Sequence, residues 1–105
     1  MDLLKKDLYE LQSLIVPWGG EKGLLHSSNA KAQTLKLFEE GGEVARGVLK
    51  NDPKLYKDGI GDCLVVLTLL CAQLGTDLEE CLNIAWEEIK DRKGVTKDGT
   101  FIKSA

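Results

Sequence analysis

The chain predicts an all-α fold, a four-helix bundle, and three observations lead there. Apolar residues recur at intervals of three and four through most of its 105 residues. Helix-stopping residues cluster in short stretches, at 17–23, 51–53, 75 and 94. No segment alternates convincingly as a strand, and repeats and low-complexity tracts are missing. The length suits one domain over residues 1–105.

Helix one is expected over residues 2–16, where Leu3, Leu4, Leu8, Leu11, Leu14 and Ile15 share an apolar face. Pro17, Gly19, Gly20 and Gly23 then break it and open a loop reaching Ser27. Ser27, Ser28 and Asn29 are all good N-caps for helix two, which carries Leu35, Phe38, Val44 and Val48 and ends near Lys50. Asp52 caps helix three, with Pro53 at the first helical position, where no amide hydrogen is needed. Gly75 stops that helix after Leu74. Thr76 with Glu79 matches a capping box opening helix four, which continues to Arg92 before Gly94. The tail, residues 95–105, reads as irregular, with Phe101 and Ile102 anchoring it on the bundle.

Helix three is polar before Gly59 and apolar nearly all round over residues 60–74. A helix apolar on every face is buried on every face, and four helices of one small chain cannot cover it fully. A homodimer or homotetramer assembled through the helices is therefore expected.

Composition excludes several classes. Hydrophobic residues make up 43% and charged residues 30%, enough for a core and an ordinary soluble surface. A net charge of −3 argues against a nucleic-acid polymer as partner. The start, Met1-Asp2-Leu3-Leu4-Lys5-Lys6-Asp7, does not read as a secretory signal, and the apolar run from Cys63 to Ala72 is too short to span a membrane. Cys63, Cys71 and Cys81 are odd in number and sit among apolar neighbours, so they read as small buried hydrophobes in a reducing, cytoplasmic setting.

The informative residues are acidic. Helix two carries Glu39-Glu40-Gly41-Gly42-Glu43 and helix three carries Asp58-Gly59-Ile60-Gly61-Asp62. Glu40 and Glu43 lie on one helical face, as do Asp58 and Asp62, and an antiparallel pair of helices can bring the two sets together. Asp62 is embedded among Ile60, Cys63, Leu64, Val65 and Val66. A buried, unpaired carboxylate costs several kcal/mol, so it must be protonated, paired with a cation or bound to metal. Four carboxylates with no nearby histidine, and with Cys63 reading as a small buried hydrophobe, make a hard oxygen site suited to Mg²⁺, with Mn²⁺ as substitute. Glu40 and Glu43 alone would more often form a solvated face; the apolar setting of Asp62 tips the balance. The glycines inside both helices cost roughly 1 kcal/mol each against alanine, a cost consistent with close backbone approach, with room for a ligand, or with packing alone.

Glu39-Glu40-x-x-Glu43 followed by an acidic-Gly-Asp-apolar run resembles the all-α nucleotide pyrophosphohydrolases of the MazG type, whose second helix carries Glu-x-x-Asp. The similarity runs from Gln33 to Leu74, and Trp86 to Gly94 with Asp98 to Lys103 also looks like small stand-alone and phage-type members. The resemblance implies hydrolysis of a nucleoside or deoxynucleoside triphosphate to the monophosphate and pyrophosphate, serving to cleanse the nucleotide pool. It implies Glu40, Glu43 and Asp62 as metal ligands, with Glu39 binding a second ion or positioning water. The family's first acid of the second pair falls at Gly59, and Asp58 is expected to replace it.

The chain offers no Cys-His or Ser-His nucleophile, since its one histidine is His26 in a glycine-bordered loop. Phosphates then need cations: Lys36, one turn before Glu40, and Lys90, Arg92, Lys93 and Lys97 at the far end. That basic end equally complements the dipole of helix four. Trp18, His26, Asn29 and Gln33 are candidates for holding the base, Trp18 by stacking or simply by packing, while Trp86 reads as core. Alternative readings are a phosphoribosyl-ATP pyrophosphohydrolase and a non-enzymatic helical interaction module. A di-iron bundle lacks its Glu-x-x-His motif.

Overall fold

The first helix starts and stops later than its punctuation suggests. A computed structural model describes residues 5–104, so Leu3 and Leu4 lie outside the described residues. Helix α1 spans Leu8–Glu21, begun by Asp7, whose carboxylate accepts from the Glu10 amide at 2.8 Å. Pro17 sits inside it rather than ending it. The stop is Gly23, in the left-handed conformation at φ +72°, where Leu24 N donates to Gly19 O and Gly23 N to Gly20 O. Carrying α1 past Pro17 seats Gly19 against Leu69 of the third helix, where an added Cβ would collide with that leucine.

A 3-10 turn at Ser27–Asn29 leads into α2, Ala30–Leu49. Its hydrogen-bonding differs from the expected cap. His26 Nδ1 accepts from Ser28 N at 3.1 Å, while Asn29 donates from its side chain to Gly23 O at 3.2 Å and fastens the loop. Asn51, at φ +54°, closes α2 with the same bonding pattern as Gly23. Asp52 then accepts from Leu55 N at 3.2 Å and Pro53 opens α3, Pro53–Leu74, as expected. Gly75, at φ +77°, ends it.

Helices α2 and α3 form the tight unit of the fold. A Cβ on Gly47 would stand 2.6 Å from Tyr56 N, and one on Gly59 would stand 3.0–3.4 Å from Val44. Facing positions thus rise along α3 as they fall along α2, so the helices are antiparallel. α3 is the centre of the molecule: α1, α2 and α4 each pack on it, and neither α1 nor α4 packs on α2. Among the described residues the buried apolar side chains are Val66, Leu69 and Cys71, all on α3. Thr68 is buried with its hydroxyl on Leu64 O, and Gln73 donates to Leu24 O at 2.5 Å.

Helix α4, Leu78–Ile89, leaves α3 at a bend of 100°. Its cap is Asp77, accepting from Glu80 N at 2.8 Å, instead of Thr76, because the aspartate reaches the same orphan amides one residue later. Trp86, expected in the core, is 55% exposed, since nothing among the described residues covers this face of α4. Cys81 is likewise exposed, whereas Cys71 is buried and Cys63 half-buried. The thiol of Cys71 is pushed up to about 11 by burial and by a hydrogen bond with Cys81.

The tail is not irregular. Gly94–Lys97 (β1) and Thr100–Lys103 (β2) pair antiparallel around Asp98 and Gly99, both at positive φ. This is a type I′ turn, whose twist matches a two-stranded hairpin. Phe101 and Ile102 are about half exposed (49% and 50%) and do not anchor on the bundle, because α4 carries the hairpin outward.

The consequence is an open shape. The radius of gyration is 16.3 Å, against about 13 Å for a closed domain of this length. The expectation that α3 is buried on every face is not met within one chain: Ile60, Leu64 and Leu74 are 40–63% exposed. Among the described residues no single helix is long and apolar enough to cross a membrane.

Candidate active site

Antiparallel register decides which side chains can meet. Val44 faces Gly59, so one turn earlier on α2 Glu40 comes abreast of the residues around Asp62. The electrostatics report the same proximity. Burial first, and then the charge of Asp62, hold the Glu40 carboxyl above its ordinary value of 4.5; Lys36 acts in the opposite sense, and Glu39 and Glu43 add to the rise. The Glu40 side chain is only 15% exposed, compared with 63% for Glu39 and 38% for Glu43. Asp62 is half-buried on α3. Asp62 thus acts on Glu40 across the α2–α3 seam, and Glu39 and Glu43 act on it along α2.

Two cations offset this repulsion. Lys36 Nζ lies 3.4 Å from Glu39 and 3.9 Å from Glu40, and Arg46 forms an ion pair with Glu43. Both are half exposed, so each pair contributes little, on the order of 0.2–1 kcal/mol. Arg46 is a site residue that reading for acids passes over, although its place three residues after Glu43 on one helix face signals the pairing.

Among the described residues no three Asp, Glu, His or Cys side chains are gathered in metal-ligating geometry. Glu43 pairs with Arg46, and Glu39 pairs with Lys36. The donor set is nonetheless chemically apt, being all carboxylate oxygen, and a divalent cation between Glu40 and Asp62 would relieve the strain on Glu40. Asp58 lies a turn before Asp62 and is exposed.

The remaining predicted residues separate into two groups. Gln33, half-buried, lies two turns before Glu40 on the same face of α2. His26 caps the 3-10 turn and Asn29 is its last residue; the turn touches both α2 and α3. Trp18 is on α1 and 45% exposed. Lys90, Arg92 and Lys93 are elsewhere: Lys90 pairs with Glu87 at 2.6 Å, Arg92 with Glu88 at 3.5 Å, and Lys93 O accepts from Ser104 N. They stand at the far end of α4, which does not reach α2, so one chain does not bring them to the acids.

Glu40 and Asp62 thus oppose each other across an antiparallel helix pair in a mostly helical chain. The family pattern of the MazG nucleotide pyrophosphohydrolase domain matches residues 28–95, from the 3-10 turn into the hairpin, and the chain belongs to that family. It is also 43% identical over 67 residues to an uncharacterised 18.2 kDa protein from the rep–hol intergenic region of Haemophilus phage HP1. That similarity covers 64% of this chain and 41% of the phage protein. No solved structure matches it.

Proposed function

We propose that the chain hydrolyses nucleoside or deoxynucleoside triphosphates to the monophosphate and pyrophosphate, with Mg²⁺ held by Glu40, Glu43 and Asp62 and by Asp58 in place of the family's missing acid. The observation that carries the reading is the partly buried Glu40 carboxyl, held above its ordinary value beside Asp62 on the opposing helix. A site that raises a carboxyl in this way is poised to gain from a cation.

A divalent metal held there supplies neutralisation of the phosphate oxygens and a more acidic bound water. The protein's own contribution is positional. Glu40 and Asp62, on two helices locked by the Gly47 and Gly59 contacts, fix the ligand oxygens on rigid elements. Glu39, the most exposed of the three glutamates, orients water and accepts its proton as it attacks the α-phosphorus. Lys36 leaves Glu39 and Glu40 once their charge is otherwise balanced and turns to the phosphates. Trp18, His26, Asn29 and Gln33 border the base, at the α1–α2 end of the same seam. In the cytoplasm such an activity would cleanse the nucleotide pool.

The test is pyrophosphate release across the common nucleotides and phosphoribosyl-ATP, with and without Mg²⁺. Turnover requiring Mg²⁺ and abolished by Asp62→Asn, in a variant that stays helical, is expected. Full activity in Asp62→Asn would refute the site.

A further inference from the structure

The bend between α3 and α4 holds a pair of thiols that the proposed function leaves idle. Cys71 lies in the last turn of α3, and Cys81 is the fourth residue of α4. Three observations place them together. The two thiols are hydrogen-bonded to each other. Thr76, in the bend, touches both residues: its amide donates to Cys71 O at 2.9 Å, and its hydroxyl lies 3.7 Å from Cys81 Sγ. Both side chains also line the same open apolar cavity between α1, α3 and α4. They differ in access, since Cys81 is exposed and Cys71 is buried. Cys63 takes no part. It lies eight residues before Cys71 on the same helix, about 12 Å along the axis, and a disulfide spans at most about 7 Å between Cα atoms.

We infer that Cys71 and Cys81 form a reversible disulfide when the chain meets a hydroperoxide, with Cys81 reacting first and Cys71 resolving. The chemistry balances with hydrogen peroxide as the oxidant. The Cys81 thiolate attacks one peroxide oxygen; the O–O bond breaks, hydroxide leaves, and Cys81 becomes a sulfenic acid. The hydroxide recovers the proton that Cys81 released. The Cys71 sulfur then attacks the Cys81 sulfur, the S–O bond breaks, and the departing hydroxide takes the Cys71 proton. Two thiols and one peroxide give one disulfide and two waters, with two electrons passing from sulfur to oxygen.

The order of reaction follows from the structure. Exposure opens Cys81 to the oxidant, while burial keeps Cys71 protonated, pushed up to about 11, until the sulfenic acid forms beside it. A disulfide needs its sulfurs about 2 Å apart, and sulfurs already in hydrogen-bond contact have little way to go. The bond closes a loop over residues 71–81 and ties the two helices across their 100° bend. A dithiol reductant reverses it by exchange.

The test treats the full chain with hydrogen peroxide, alkylates the remaining thiols in denaturant and reads the intact mass. One alkylated thiol instead of three is expected, and prior dithiothreitol should restore all three. Proteolysis before aspartates should leave residues 62–76 joined to 77–90, with the alkyl group on Cys63. The oxidised chain should melt about 10 °C above the reduced one, because the closed loop constrains the unfolded chain. A lower melt would overturn the claim that the thiols meet without moving the helices. Cys71→Ala should stop Cys81 at a sulfenic acid that dimedone captures. Cys81→Ser, at the exposed position, should keep both remaining thiols through the same treatment, and it carries the test if Cys71→Ala loses helix. Loss of the Cys71 thiol in Cys81→Ser overturns the order of reaction. Three alkylated thiols in the treated parent, a bond that includes Cys63, or a link between two chains overturns the pairing.

Discussion

Substituting alanine for single glycines in α2 separates close packing from open space, and the structure gives opposite signs within one helix. Glycine inside a helix costs about 1 kcal/mol relative to alanine, so Gly→Ala stabilises wherever the methyl group fits. At Gly41 nothing lies within 4 Å of the added Cβ, and Gly41→Ala should gain close to that full amount. At Gly47 the Cβ would stand 2.6 Å from Tyr56 N and 2.9 Å from both its Cα and Cβ. Ordinary carbon contacts are about 3.5–4.0 Å, and none of these atoms can rotate away, so α2 and α3 must part by about 1 Å. Overpacking of this kind costs about 1–3 kcal/mol, and a site blocked by backbone belongs at the upper end. Offsetting the gain in propensity leaves Gly47→Ala less stable by about 2 kcal/mol. In a domain this size that lowers the melting temperature by about 10 °C, while Gly41→Ala raises it by about 4–8 °C. Thermal melts followed by circular dichroism at one fixed concentration read both. Gly47→Ala melting at or above the parent, or Gly41→Ala falling with it, would refute the seam described here.

Glu40→Gln should raise the melting temperature at neutral pH in the absence of Mg²⁺ while abolishing turnover. Because the folded-state value of Glu40 is raised, its favourable contribution is complete below its ordinary value of 4.5 and is lost as pH rises through the raised value, so the gain should vanish in melts below pH 4.5. Asp52→Ala removes the acceptor for Leu55 N and should cost about 1 kcal/mol in urea unfolding. Asp58→Asn should weaken Mg²⁺ binding about tenfold, read by Mg²⁺-dependent thermal shift, and leave the metal-free melt unchanged.

The four helices and the acidic seam were legible because their signals are local. Caps, stops and three-four spacing act within a turn of helix, and Asp52, Pro53 and Gly75 each sit where expected. The misses arise where local signals compete or distance matters. Pro17 lacks only one donor, and the contact of Gly19 with Leu69 carries α1 past it. The hairpin was announced by Asp98-Gly99 between short alternating runs, a signal that a tail of eleven residues made easy to dismiss. The direction of α4 was not legible at all: its amphipathic pattern shows that one face needs covering, not which chain covers it. Trp86 and Cys81 were assigned to the core on that pattern and are exposed for that reason.

The departure at Gly59 has a physical basis in the same seam. An acid at position 59 would need a Cβ, and that Cβ would meet Val44 Cγ2 at 3.0 Å and Val44 N at 3.2 Å. Here the helices lie closer than an ordinary Cβ contact, so a side chain at position 59 would require the seam to give by a few tenths of an ångström, and the closeness brings Glu40 up to Asp62 one turn further along. Position 58 stands about 40° from Asp62 around α3, whereas position 59 stands about 60° away on the side facing α2. Asp58 is free of the contact that crowds position 59, exposed, and on the face of Asp62. Under the proposed function, an acid at 58 would keep the site at four carboxylates without opening the seam. The spacing of the acids and the spacing of the glycines are then two consequences of one constraint, the distance between α2 and α3.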